Sequence, residues 1–231
     1  MDLNTFTKSW LRVALTLFGV FLSAQAAWIL LAERHRLNHI RLPVDGQTAT
    51  MAFAEQDKIK QAASLAVVRG DLWAESAFTY GSQLWTDRAI WLDGGDQLNT
   101  EALKTLTRAL RYSPHRGDLW LMFAALADKY KWSGYQPSLL LKMSYYTAPN
   151  ELALLPLRLN VSLHAKGVID DAELKDMVRR DISIILTRAP ALKPALVAAY
   201  KSALPQGRVL AERVISEIDP DYLSVIRGGC P

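Results

Sequence analysis

A run of 20 consecutive residues without a charge, near the N-terminus, constrains this chain more than any other feature. It reads VALTLFGVFLSAQAAWILLA from Val13 to Ala32 and lies between Arg12 and Glu33. An α-helix rises about 1.5 Å per residue, so the run would be about 30 Å long, which is the thickness of the hydrocarbon core of a bilayer. The length therefore predicts a helix that can span a membrane.

A cleaved secretory signal is the competing interpretation of this run, because Ala24-Gln25-Ala26 matches the A-x-A cleavage pattern. The apolar residues continue beyond that pattern through Leu31, whereas a cleavage site normally follows the apolar region. Trp10 and Trp28 lie near the two ends of the run, where indole rings favour the membrane interface. These observations favour an uncleaved signal-anchor.

The flanking charges leave the orientation open. Lys8 and Arg12 precede the apolar run, and Arg34, Arg36 and Arg41 follow it, so positive charge is nearly balanced across the predicted span. The short N-terminal tail resembles that of bacterial signal-anchors, which keep the tail in the cytoplasm and export the rest. We therefore expect a single-pass protein of the inner (cytoplasmic) membrane with its soluble domain in the periplasm.

The rest of the chain has helical periodicity almost throughout, and no alternating β-branched run indicates a strand. The predicted helices cover 55–68, 72–86, 100–112, 119–127, 137–147, 151–165, 171–188, 192–203 and 207–218. The fold class is therefore all-α. The predicted organisation is a short N-terminal tail (1–12), a transmembrane signal-anchor helix (13–32), a juxtamembrane linker (33–54), a helical domain (55–226) and a C-terminal tail (227–231).

Several residues mark where these helices should begin. Asn99 or Thr100 is a candidate N-cap for the helix that ends at Tyr112, and Asp170 with Glu173 reads as a capping box. Pro156 does not fit inside its helix, so it predicts a kink or a later start. Asp71 and Asp118 are further candidate caps.

The pentapeptide RGDLW occurs twice, at Arg69–Trp73 and Arg116–Trp120, and suggests a repeated structural unit. Residues at helical spacing accompany it: Trp73, Ala77 and Tyr80; Trp120, Phe123 and Ala124; and Ala102, Leu106, Ala109 and Pro114. This pattern resembles the tetratricopeptide-repeat (TPR) family, in which a first helix reads W-x2-L-G-x2-Y and a second contains A-x3-F before a proline. Ser76 and Ala127 depart from the pattern, and the segment DRAIWLDGGDQLN between the two parts of the first repeat is extra.

The resemblance implies a degenerate TPR-like α-solenoid of helical hairpins, and the alternative is an irregular helical bundle. In the TPR family the first helices line a concave surface that holds a peptide or helix. Trp73, Tyr80 and Trp120 are therefore candidate partner-binding residues. The competing role for these three side chains is packing in the core.

The sequence gives little support for a nucleic-acid site, a metal or cofactor site, or a disulfide. The net charge is +4, but basic and acidic residues are interleaved, so no nucleic-acid partner is predicted. His35 and His39 have metal-ligand spacing without a nearby carboxylate or cysteine, and Asp93 to Asp96 lacks the calcium-loop pattern, so neither a metal nor another cofactor is predicted. The single Cys230 has no partner for an intrachain disulfide.

No nucleophile, phosphate-binding or metalloprotease motif is present, so the sequence favours a non-enzymatic role. We expect a membrane-anchored adaptor that binds a protein partner in bacterial cell-envelope assembly, with polysaccharide synthesis or export as the favoured pathway by resemblance. Its other partner is the lipid bilayer, through residues 13–32. The alternative is an envelope enzyme that acts on glycan through a single catalytic glutamate, with these candidates: Glu55, Glu75, Glu101, Glu151 and Glu173.

Overall fold

The computed structural model describes residues 3–34, 54–85, 95–165, 167–168 and 170–228, and all the regular elements in these ranges are helices. They are α1 (Leu3–Arg34), α2 (Gln56–Leu65), α3 (Gly70–Trp85), α4 (Gly95–Tyr112), α5 (Gly117–Tyr130), α6 (Pro137–Thr147), α7 (Leu155–His164), α8 (Ala172–Thr187), α9 (Lys193–Ser202), α10 (Pro205–Ile218) and α11 (Tyr222–Ile226). The all-α prediction is confirmed for this part of the chain.

The first helix contains the predicted span. Within the described ranges, Trp10–Arg34 is the straight helical stretch that is long and apolar enough to cross a membrane, and its apolar window is not buried in the rest of the protein. α1 begins at Leu3, so most of the segment predicted as a tail is part of the same helix. An anchor and a signal sequence would both form such a helix.

Two antiparallel hairpins follow, each beginning at one RGDLW copy. The start of α3 at Gly70 lies against Tyr112, the last residue of α4, and against Ser113 just beyond it. In the same way, the start of α5 at Gly117 lies against Ala148, just beyond the end of α6. The repeated pentapeptide therefore marks a repeated hairpin.

The hairpins stack with their first helices in the same direction. The carbonyl of Leu84, near the end of α3, accepts hydrogen bonds from Lys129 Nζ (2.9 Å) and Tyr130 Oη (2.8 Å), near the end of α5. Just beyond α5, Trp132 Nε1 donates to Asn99 Oδ1 at 2.6 Å. The predicted cap at Asn99 or Thr100 is therefore wrong, because α4 already begins at Gly95 and both residues lie inside it.

The hairpin order is not continued in the C-terminal helices. α7 packs mainly on α9 rather than on the next helix in the chain, and α8 packs mainly on α10. Near the end of α7, Asn160 Nδ2 donates to Ser202 Oγ at 3.2 Å, and the carbonyl of Leu163 accepts from the amide of Leu204 at 3.1 Å. The structure thus has two stacked hairpins and an irregular C-terminal half, and a continuous solenoid is not confirmed.

The apolar stripe predicted on α4 is confirmed, since Ala102, Leu106 and Ala109 are fully buried. These side chains belong to a core that extends from α2 to α11 and includes Ala32 of α1. Small residues on α4 let it approach α3 closely. The core therefore holds the end of α1 to the helical domain.

The sequence predictions for two helix starts had different outcomes. Asp171, rather than Asp170, caps α8, because its Oδ1 accepts a hydrogen bond from the amide of Leu174 at 3.1 Å. Pro156 lies in the first turn of α7, so the prediction of a later helix start is confirmed. His35, His39, Asp93, Cys230 and most of the predicted linker lie outside the described residues.

Candidate functional site

Each RGDLW copy forms the same local structure. Arg69 binds the carboxylate of Asp71 through two nitrogens, at 3.2 and 2.6 Å, and Arg116 binds Asp118 in the same fork. The indole nitrogen of each tryptophan donates to a carbonyl six residues earlier, Trp73 to Val67 at 3.1 Å and Trp120 to Pro114 at 2.8 Å. The repeated sequence therefore fixes the turn before each hairpin through the same contacts.

The prediction that Asp71 and Asp118 are N-caps is wrong. α3 and α5 begin at the glycines before them, so both aspartates lie in the first helical turn. There each carboxylate holds the preceding arginine and faces the positive end of the helix dipole. The aspartates thus stabilise the helix starts by charge rather than as caps.

The three candidate partner-binding residues lie in different environments. Trp73 and Tyr80 are each only 5% exposed, and Trp120 is half-buried. Arg108 lies 4.6 Å above the ring of Trp73, and burial raises the pKa of Tyr80. The burial of Trp73 and Tyr80 favours the packing role, and partner contact at Trp120 stays a prediction.

The end of the apolar helix is tied to the helical domain by three contacts. Trp28 Nε1 donates to the carbonyl of Leu65 at 2.7 Å, and Arg69 Nη1 binds Glu33 Oε2 at 2.6 Å. Between them, Ala32 is fully buried. The hydrogen bonds that Arg69 donates, first to Asp71 and then to Glu33, raise the pKa of Arg69, so its charge is held in a network at this junction.

A stripe of apolar side chains is exposed on α6. Leu139 and Tyr146 are 53% exposed and Met143 is 36% exposed, and their spacing of four and three residues places them on one helix face. The opposite face of α6 packs into the core through residues such as Leu141 and Tyr145. We call Leu139, Met143 and Tyr146 the α6 stripe.

Charged residues hold one end of the α6 stripe in place. The hydroxyl of Tyr146 donates to Glu173 Oε1 at 2.6 Å, and Lys142 binds Asp171 at 2.6 Å and Glu173 at 3.0 Å. These contacts fix the stripe against the start of α8. An apolar face held rigidly beside charged groups suits a protein partner.

A buried polar cluster joins the second hairpin to the C-terminal helices. Arg158 on α7 is fully buried, and its Nη2 donates to the carbonyls of Ser144 (2.6 Å) and Ala148 (2.8 Å) at the end of α6. Its guanidinium also lies 4.6 Å from the ring centre of Tyr145, whose hydroxyl donates to Asp181 Oδ2 at 2.8 Å. The cluster satisfies the open carbonyls of α6 and so connects α6, α7 and α8.

Burial changes the titration of this cluster. It raises the pKa of Asp181 to about 6, although the hydrogen bond from Tyr145 and the charge of Arg158 favour the ionised carboxylate. Burial also lowers the pKa of Arg158.

Two of the candidate catalytic glutamates have a pKa shifted away from that of a general acid. A hydrogen bond from Lys60, at 2.8 Å, lowers the pKa of Glu101. Hydrogen bonds from Tyr146 and then Lys142 lower the pKa of Glu173. The acid of a glycosidase needs a raised pKa, so both residues are better suited to ion pairing.

The other three candidate catalytic glutamates lie in three separate places and do not form a common site. Glu55 pairs with Lys58 at 2.9 Å, Glu75 is buried within α3, and Glu151 lines an open depression of about 520 Å³ with Arg180 and Arg188. A second depression of about 510 Å³ lies between α5, α7 and α9. Among the residues that the structure describes, no three histidine, cysteine, aspartate or glutamate side chains are grouped to hold a metal ion.

No protein-family model, curated protein or solved structure matches this chain. The comparisons therefore add nothing to the resemblance to TPR proteins, which stays a prediction from the repeated residues. The features of the described residues that bear on function are the junction at α1 and the α6 stripe.

Sequence reasoning missed both of these features. The α6 stripe is hidden in the sequence because α6 also carries apolar residues on its buried face, so apolar spacing alone does not separate the two faces. The junction joins residues more than thirty positions apart. Arg69 could have indicated the junction from the sequence. The same arginine begins both RGDLW copies, and a charged residue repeated before each hairpin indicates a structural role for its side chain.

Proposed function

We propose that this protein is a membrane-anchored, non-enzymatic adaptor that binds a protein partner beside the bacterial inner membrane, with its helical domain in the periplasm. The favoured setting is cell-envelope assembly, in particular polysaccharide synthesis or export. In this proposal the anchor is α1, and the helical domain begins with two TPR-like hairpins, α3 with α4 and α5 with α6. The observation that carries the proposal is the α6 stripe, because it presents apolar area on a rigid helix.

The stripe fits one kind of partner, an amphipathic helix. Residues at spacings of four and three positions form a ridge along α6, and such a ridge packs into the groove of another helix. Lys142 and Glu173 lie beside the ridge and would contact polar residues at the rim of the interface. The junction at Trp28 and Arg69 supports this role, since it fixes the domain close to the span.

Site-specific photo-crosslinking in intact cells tests the adaptor function. A benzophenone amino acid in place of Leu139 should form one discrete adduct with a membrane or envelope protein, and Met143→Glu in the same chain should abolish that adduct. The same crosslinker in place of Val209, an exposed residue of α10, is the matched control and should give no such adduct. Equal crosslinking at both positions, or an adduct indifferent to Met143→Glu, would count against the α6 stripe as the partner site.

Reporter fusions test the location. A reporter that is active only outside the cytoplasm should be active when fused after residue 60 and at the C-terminus. Activity of a cytoplasm-specific reporter at these positions instead would contradict the periplasmic assignment and direct the search to cytosolic partners.

A further inference from the structure

Two adjacent valines are exposed in the turn between α2 and α3. Val67 is 47% exposed and Val68 is 70% exposed. Val67 also has a φ of 21°, a region that β-branched residues rarely adopt. A glycine would form this turn at lower cost, so the conformation of the turn does not account for an exposed valine side chain.

The turn lies beside the end of the apolar helix. On one side of it, Leu65 accepts the hydrogen bond from Trp28, and on the other side Arg69 binds Glu33. Trp28 belongs to the apolar span, whereas Glu33 is the first charged residue beyond it. The valines are therefore held next to the last turns of the span. Along the axis of α1, Trp28 and Glu33 are separated by about 7 Å of helix rise.

This position corresponds to the interface of a bilayer spanned by α1. Ile29, Leu30 and Leu31 of the same helical turn are about half exposed or more, as expected of side chains that face lipid. Indole rings such as that of Trp28 favour the headgroup region. A turn held at this level by Trp28 would lie among the headgroups rather than in bulk water.

The charges around the turn are compatible with this position. Arg69 is ion-paired with Asp71 and Glu33, so these charges lie at the interface as a bonded network rather than singly. Arg34 follows at the end of α1, where a cation can contact lipid phosphates. Apolar side chains flanked by such groups are typical of segments that enter the interfacial layer.

We propose that the turn formed by Val67 and Val68 inserts into the bilayer interface as a second membrane contact beside α1. This inference rests on the proposed membrane anchoring. Together the two contacts limit the tilt of the helical domain against the bilayer, since the junction fixes the domain to α1 but a single span can still tilt. The partner of this surface is lipid.

Fluorescence quenching in vesicles tests the insertion. The full-length chain carries Cys230→Ser and Val68→Cys, is labelled with the environment-sensitive dye NBD, and is reconstituted into vesicles of phosphatidylcholine and phosphatidylglycerol. Nitroxide-labelled lipid should quench NBD at position 68 several-fold more than NBD at Val209→Cys, with a blue-shifted emission at position 68. Equal quenching and equal emission at the two positions would overturn the insertion.

Vesicle flotation separates this inference from the anchoring on which it rests. If the labelled chain floats with the vesicles but the dye at position 68 behaves as the dye at position 209, the span is inserted and the turn is not. If the chain does not float, both the anchoring and the insertion are overturned. As a further control, Val67→Ser with Val68→Ser should leave flotation unchanged but should reduce the quenching of NBD at Ser64→Cys, an exposed position of α2, several-fold. Unchanged quenching at that position would contradict the role of the valines in holding the turn at the interface.

Discussion

The indole nitrogen of Trp28 donates a 2.7 Å hydrogen bond to the carbonyl of Leu65, so the apolar helix and the helical domain are joined by a specific polar contact. Leu65 is the last residue of α2, where carbonyls have no partner within the helix. The contact therefore completes the end of α2 as well as fixing α1. It gives the helical domain a defined position relative to α1.

Trp28→Phe should loosen this junction. Phenylalanine keeps an apolar ring but removes the donor, and an unmade neutral hydrogen bond costs about 1 kcal/mol. That cost corresponds to about fivefold faster amide exchange through local opening of α2. Hydrogen exchange measured in micelles on Gln56–Leu65 checks this, with Trp10→Phe at the other end of the span as the control. Equal exchange in the two variants would show that the hydrogen bond does not stabilise α2.

Gly117→Ala should destabilise the second hairpin. The added Cβ would lie 2.5 Å from Ala148 Cβ and 3.0 Å from the carbonyl oxygen of Ser144, neither of which can rotate away. Overpacking of this kind costs about 1–3 kcal/mol. Urea unfolding of the full-length chain in micelles, followed by circular dichroism, measures the loss of free energy of unfolding.

Gly81→Ala is the matched control for that substitution. Its added Cβ would meet the side chain of Met122 at 3.0–3.2 Å, and a flexible thioether can move. We therefore expect a change within about 1 kcal/mol, because alanine also favours the helix. A loss as large as that of Gly117→Ala would mean that close packing at the start of α5 is not the cause.

Asp181→Asn should change how stability depends on pH. The pKa of Asp181 is raised in the folded protein from 3.8 to about 6, so its protonated form stabilises the fold below pH 3.8, and that contribution is lost as the pH rises through 6. Asparagine keeps an acceptor for Tyr145 but does not ionise. Relative to the native chain, the variant should therefore gain about 3 kcal/mol between pH 3.5 and pH 7.

Urea unfolding of both chains across this pH range gives that difference directly. The contributions of the other carboxylates to the pH dependence cancel in this difference, since the native chain and the variant both contain them. A difference that stays constant with pH would mean that the folded protein does not raise the pKa of Asp181.

Arg158→Lys should weaken the link between α6 and α7. The planar guanidinium of Arg158 donates to two carbonyls and stacks on Tyr145 at the same time, whereas a lysine ammonium has donors but no planar group to stack on the ring. Loss of buried charged hydrogen bonds costs about 2 kcal/mol. Arg180→Lys is the control, because Arg180 makes an exposed contact with Asn150. If the two substitutions lower the unfolding midpoint by the same amount, the buried contacts of Arg158 contribute little.

The sequence by itself determined the local structure. The uncharged run from Val13 to Ala32 specified a helix whose length matches a bilayer, and apolar spacing specified the helices of the domain to within a few residues at most ends. The repeated RGDLW specified a repeated hairpin start. These features were predictable because helix periodicity, proline positions and repeats depend on neighbours along the chain.

Only the tertiary structure decided which surfaces are covered. It buried Trp73 and Tyr80, left the α6 stripe exposed, and brought Trp28 to Leu65 and Arg69 to Glu33. The same apolar spacing on a helix can face the core or solvent, and the choice depends on which distant helices pack against it. Contacts between residues far apart in the chain leave no periodic signal, so the sequence predicted the helices but not the junction between α1 and the helical domain.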